Sequence, residues 1–164
     1  ITLAQENAAL NNMETRSKFS TTNITDFTET KLDHVICNPP FLEDGKHIPS
    51  PDNSRAAANA HMNDTTLEDW VKAAFNALKS GGSLTMIHRA DHVDQIIRAL
   101  GKSFGATEII PLWPKQGIQA KRVIIRTIKH RKTPATMHPG IVLHKEDDTY
   151  TKTAEKILKQ AETL

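Results

Sequence analysis

The sequence predicts an α/β domain built on a mixed sheet whose last two long strands are antiparallel. Three observations lead there. Segments of helical periodicity alternate with short β-branched runs along most of the 164 residues. One apolar run, Leu32–Cys37, stops abruptly at two prolines, Pro39 and Pro40, which cannot donate to a strand ladder. Two later apolar runs, residues 107–112 and 123–128, flank a polar stretch, PKQGIQAKR, that reads as a hairpin loop.

In chain order, residues 2–12 (TLAQENAALNN) form a helix that ends near the Asn pair. Residues 18–25 carry a weak strand pattern. Leu32–Cys37 is a buried strand. Residues 42–63 contain Gly45, Pro49 and Pro51 and read as a long loop, with room for a short helix over 54–60. A well-patterned helix follows. Leu67, Trp70, Val71, Ala74, Phe75 and Leu78 recur at helical spacing, Thr65 and Glu68 match a capping box, and Gly81-Gly82 closes the element. A strand over 84–88 comes next. Asp91 is placed to cap a helix carrying Val93, Ile96, Ile97 and Leu100, which Gly101 ends. After the hairpin, residues 141–144 form a last strand, and Ala154, Ile157, Leu158 and Ala161 mark a last helix.

Composition sets the bounds. The length suits one domain, and a hydrophobic content of 38% predicts a thin or incomplete core. A formal charge of +2 does not by itself imply nucleic-acid binding. The single cysteine, Cys37, excludes an internal disulfide. It reads as a small core residue rather than a reactive thiol. No run is long and apolar enough to span a membrane, and no secretory signal is visible, so a cytoplasmic location is expected. The eight histidines form no zinc-like pattern, and no metal is expected. The chain opens at Ile1, inside a helix pattern, and an N-terminally incomplete single domain is expected.

Chemistry concentrates at Asn38-Pro39-Pro40-Phe41. The amino group of a nucleobase is a poor nucleophile, because its lone pair is delocalised into the ring. Methylating it requires in-line positioning, oxygen atoms to accept its hydrogens, and a grip on the flat base. Asn38 offers a side-chain carbonyl and Pro39 a backbone carbonyl. Pro40 stiffens the turn, and Phe41 offers a stacking face worth about 1–3 kcal/mol. The base must be out of any helix to enter. The motif sits at the C-terminal end of a strand, where open α/β sheets bind ligands. A plain strand-ending turn with a core phenylalanine is the alternative.

The segment HVICNPPF resembles the fourth strand and catalytic loop of amino-methyltransferases with a Rossmann-like fold. The likeness extends to LAQENAALNN, FSTTNITDF, LEDWVKAAFNALKSGGSLTMIHRAD and ATEIIPLWPKQGIQAKRVIIRTIKH. Within that superfamily the pattern is most similar to bacterial tRNA adenine-N6 methyltransferases that act on a valine tRNA beside the anticodon. The resemblance implies a Rossmann-like class I methyltransferase fold with its N-terminal strands missing. It implies S-adenosylmethionine as cofactor and tRNA as partner. Asn38, Pro39, Pro40 and Phe41 become the catalytic group. Such enzymes carry a glycine-rich loop and an acidic ribose ligand ahead of the segment that begins here, so the chain is expected to start just past both. An acidic residue ordinarily meets the cofactor adenine after the third strand. By spacing Asn23 stands there, followed by Ile24, with Asp26 nearby; these three are the cofactor candidates.

Six basic residues are candidates for phosphate contact: Lys115, Lys121, Arg122, Lys129, Arg131 and Lys132. A solvated, charged sheet edge is an equal alternative. Trp113 reads as a packed hairpin aromatic, and Arg55 and His61 as loop residues near the motif. The same motif suits guanine in ribosomal RNA, adenine in DNA or a glutamine amide in protein. An inactive fragment or a binding module is the remaining alternative, given the missing cofactor loop.

Overall fold

A computed structural model describes residues 1–40 and 65–162. The elements are α1 (Thr2–Leu10), β1 (Leu32–Cys37), α2 (Leu67–Ala77), β2 (Leu78–Arg89), α3 (Val93–Leu100), β3 (Phe104–Trp113), β4 (Arg122–Lys129), the short β5 (Thr136–Met137) and β6 (Ile141–Val142), and α4 (Lys152–Gln160). The helix anticipated over 54–60 lies outside the described residues.

The sheet runs β1-β2-β4-β3-β5, with β6 also pairing β3. β1 and β2 are parallel, while β4 is antiparallel to both β2 and β3. This is the mixed α/β sheet with a closing antiparallel strand pair that the order of periodicities predicts. Two short strands extend it: β5 and β6 both run parallel to β3.

Helix α2 forms where an apolar stripe meets a good start signal. The capping box lies one residue later than the sequence suggests: Thr66 caps the helix and Asp69 reciprocates. Thr66 N–H donates to Asp69 Oδ2 at 2.9 Å, and Asp69 N–H to Thr66 Oγ1 at 3.2 Å. The helix does not end at the glycines. It stops at Ala77, and Leu78 passes directly into β2. Gly81 instead takes φ +79 inside that strand, beside a register break in which Leu32 pairs Leu78 but His34 pairs Ser83.

Residues 18–25 form no strand. They are extended chain ending in a 3-10 turn, Ile24–Asp26, started by Asn23, whose side chain accepts from Thr25 N–H at 3.2 Å. An Asx-type local bond competes with strand pairing. Asp91 does not cap α3: the cap position is His92, and no side-chain cap bond forms.

The core is one cluster under α2 and α3, made of Val71, Ala74, Leu78, Leu84, Met86, Ile96, Leu100, Phe104, Val123 and Ile125. Met86 and Ile96 are fully buried. Val35 and Cys37 pack against this face, whereas Ile36, which points the other way, is 82% exposed. Outside this cluster, Ile110 and Leu112 are also buried, on the opposite face of β3 from Ile109. Trp113 is fixed by donating its indole N–H to Pro139 O at 3.0 Å, which makes it a packing residue. No described helix is long and apolar enough to cross a membrane.

Candidate active site

Parallel pairing of β1 with β2 decides what surrounds the motif. Cys37 lies opposite Met86, so Asn38 leaves the sheet at the edge where β2 runs out through His88 and Arg89. Asn38 is exposed, Pro39 buried and Pro40 half-buried. The buried Pro39 ring anchors the turn while the Asn38 amide faces out. Phe41, Arg55 and His61 lie outside the described residues.

Asn38 and Pro40 line a cavity of about 680 Å³ together with Thr22, Asn23, Ile24 and Trp70. Two of the three cofactor candidates, Asn23 and Ile24, thus share a cavity with the motif. Asp26 is not among its described lining residues; its carboxylate accepts from Thr25 Oγ1 at 3.4 Å. The Asn23 carbonyl is engaged by Thr25 N–H, which leaves its amide N–H groups for a ligand. Apolar Ile24 beside an amide donor fits the flat face and ring nitrogens of an adenine.

A second cavity of about 200 Å³ lies behind Pro39 and Pro40, lined also by Glu68, His88, His92 and Gln95. None of these four is a site candidate from sequence; Glu68 is read there only as a capping residue. Burial lowers the His88 pKa below the ordinary imidazole value, and the neighbouring His92 adds to this. Burial pushes the Cys37 thiol up to about 12, so it stays protonated, as a core thiol does. Trp70, expected only as a core residue of α2, lines both cavities. Its helical spacing carried no hint of that. Among the described residues, no three His, Cys, Asp or Glu side chains converge as metal ligands.

The six basic residues do not form one patch. Strand β4 separates them by its length, roughly 25 Å for eight residues. Lys121 and Arg122 sit at its start, on the motif edge, where Arg122 pairs with Arg89 and Ala90 N–H donates to Lys121 O at 3.2 Å. Lys115 lies just past β3 on the same edge, and its ammonium donates to Glu146 O at 2.9 Å and pairs with Asp148 at 3.0 Å. Lys129, Arg131 and Lys132 fall at the far edge. Lys129 is a structural residue: it donates to Phe75 O at 2.6 Å and Leu78 O at 2.7 Å and lies 4.1 Å over the Phe75 ring. Those carbonyls end α2, where a cation complements the helix dipole.

A family model, described as the methyltransferase small domain, matches residues 1–113. The chain belongs to that family. Solved structures agree on the fold of this methyltransferase domain. It is similar to a predicted O-methyltransferase of Agrobacterium tumefaciens, with TM-score 0.73 and 22% identity over 95% of this chain and 69% of that one. It is similar to TrmN of Thermus thermophilus, with TM-score 0.51 and 17% identity over 78% of this chain and 32% of that one. It is similar to the M protein of the type I restriction enzyme EcoKI, with TM-score 0.55 and 13% identity over 97% of this chain and 38% of that one. The domain thus spans about a third of the latter two. At these identities the likeness is one of fold. No curated protein matches the sequence.

Proposed function

We propose that this methyltransferase domain transfers a methyl group to the exocyclic amino group of adenine in tRNA. The observation that supports this best is the Asn38-Pro39-Pro40 turn at the end of β1, opening on the cavity that also holds Asn23 and Ile24. S-adenosylmethionine, which the family implies as cofactor, supplies an electrophilic methyl group when bound. Asn23 and Ile24 would hold its adenine.

The chain's own residues act on the acceptor. The Asn38 side-chain carbonyl and the Pro39 backbone carbonyl accept the two hydrogens of the amine. This pulls electron density back onto nitrogen and sets its lone pair in line. The Pro39 oxygen does not have to reorganise, because the prolines fix the backbone of the turn before substrate arrives. Phe41, by resemblance, stacks on the flipped base. The proton released on nitrogen passes to water, so no general base is required. Lys115, Lys121 and Arg122, on the motif edge, are the phosphate-contacting residues of this proposal.

The test is incorporation of labelled methyl groups from S-adenosylmethionine into tRNA, ribosomal RNA, DNA and protein by the full-length protein. Label in tRNA, recovered as N6-methyladenine, is the expected result. Label only in protein, or on guanine, would overturn the assignment of the acceptor. Absence of label in all four would leave a binding module.

A further inference from the structure

The motif edge also carries an Asp–His pair that the proposed reaction has not used. Arg89 Nε donates to Asp91 Oδ1 at 3.0 Å, and Arg89 Nη2 donates to Asp91 Oδ2 at 2.5 Å. The same carboxylate meets His92 Nδ1 at 2.9 Å. Arg89 first, then His92, hold the Asp91 carboxyl far below the usual carboxylate range. An ionised carboxylate only accepts, so His92 Nδ1 carries the hydrogen. In the neutral ring the lone pair then lies on Nε2. A helix cap would be the ordinary use for an aspartate here, yet neither the 3-10 turn Ala90–His92 nor α3 has a side-chain cap bond. The carboxylate is spent on orienting an imidazole instead.

That imidazole lines the 200 Å³ cavity behind Pro39 and Pro40. The His88 ring packs against it at 5.2 Å between centroids, tilted by 55°, so the ring is held from the side as well as through Nδ1. The cavity is smaller than the roughly 300–1,000 Å³ of sites for drug-sized ligands, which suits one ring rather than a whole nucleotide. Among its lining residues, Glu68, Gln95 and His92 carry acceptor atoms: a carboxylate, an amide oxygen and, with the hydrogen on Nδ1, an imidazole Nε2. A phosphate would meet Glu68 unfavourably, whereas a base edge bearing N–H groups would not.

We propose that His92 is a binding residue for the acceptor: its Nε2 accepts a hydrogen bond from the base presented to the Asn38-Pro39-Pro40 turn, with Asp91 and Arg89 as positioning residues. This rests on the preceding assignment of a nucleic-acid amine as acceptor. It adds a contact from the turn between β2 and α3 to the site at the end of β1, and it explains why Asp91 faces His92 rather than the helix end.

The test uses the full-length protein and an acceptor oligonucleotide that it methylates. His92→Ala should raise KM for the oligonucleotide, and its directly measured Kd, by about tenfold, the order of one hydrogen bond. The affinity for S-adenosylmethionine should stay unchanged. His92→Gln places an amide oxygen near the position of Nε2 and should recover much of the loss. Should His92→Ala fold poorly, His92→Gln and Asp91→Asn carry the test, the latter raising KM by freeing the ring. Unchanged KM and Kd in folded His92→Ala would overturn this inference alone. A loss that tracks thermal stability and is not recovered by Gln would also overturn it, assigning His92 to the scaffold. Absence of methyl transfer to any nucleic acid would overturn both this inference and the function beneath it.

Discussion

Cys37 faces Met86 across the parallel β1–β2 ladder, and this one register brings Asn38, as it leaves the sheet, to the edge where His88 and Arg89 end β2. Had the strands been antiparallel, the β2 terminus would sit at the far edge, away from the motif. The pairing also holds Met86 fully buried beneath α2 and α3. Met86→Ala should therefore cost about 2–5 kcal/mol by leaving a cavity. It should lower the denaturation midpoint in urea without changing which acceptor is methylated. Urea melts followed by circular dichroism, with product analysis, check both halves.

Asn38 is exposed, so its truncation touches little of the core. Asn38→Ala should change stability by no more than about 0.5 kcal/mol. Loss of one preorganised acceptor for the reacting amine should slow methyl transfer by about 10²–10³-fold. Single-turnover rates beside thermal melts separate the two effects. Near-normal turnover would end the catalytic assignment of Asn38.

The split of basic residues along β4 makes opposite predictions for the two edges. Lys121→Ala and Arg122→Ala should weaken nucleic-acid binding, and each should reduce the slope of log K against log salt by about 1. Arg131→Ala and Lys132→Ala should leave the slope alone. Lys129→Ala should also leave it alone, but should destabilise the fold by about 1–3 kcal/mol, since the Phe75 and Leu78 carbonyls lose their donor. Filter binding over a salt series, with parallel melts, distinguishes the classes.

Burial of His88 makes stability depend on pH. Its pKa is lowered in the folded state below the ordinary 6.5. Between the two values the unfolded chain binds the extra proton, so stability rises with pH in that window. The contribution is fully present above about pH 6.5 and is lost as pH falls through the folded-state value. Midpoints measured from pH 8 to pH 5 should be flat and then decline, and the part of the decline due to this residue should vanish in His88→Phe.

Much of the architecture was legible because it is local. The strand Leu32–Cys37 was bounded by its own residues: apolar side chains, then prolines that cannot continue a ladder. Helix α2 was visible as a stripe of period 3.6. Where two local signals competed, the details moved. The cap shifted from Thr65 to Thr66, and the expected strand at 18–25 gave way to a turn begun by Asn23. Gly81-Gly82 looked like a helix stop but serves a break in strand register, because β2 begins as soon as the helix ends.

By itself, then, the sequence determined the α/β class and the turn at Asn38-Pro39-Pro40, since each follows from neighbours in the chain. Only the tertiary structure decided which distant residues share the motif edge. It brought His92 to a cavity lined by Pro39, placed Lys121 on the motif edge and sent Lys129 to the far end of the same strand. The physical reason is that strand order and register are set by pairing between segments far apart in sequence, and residue spacing along the chain carries no record of that pairing.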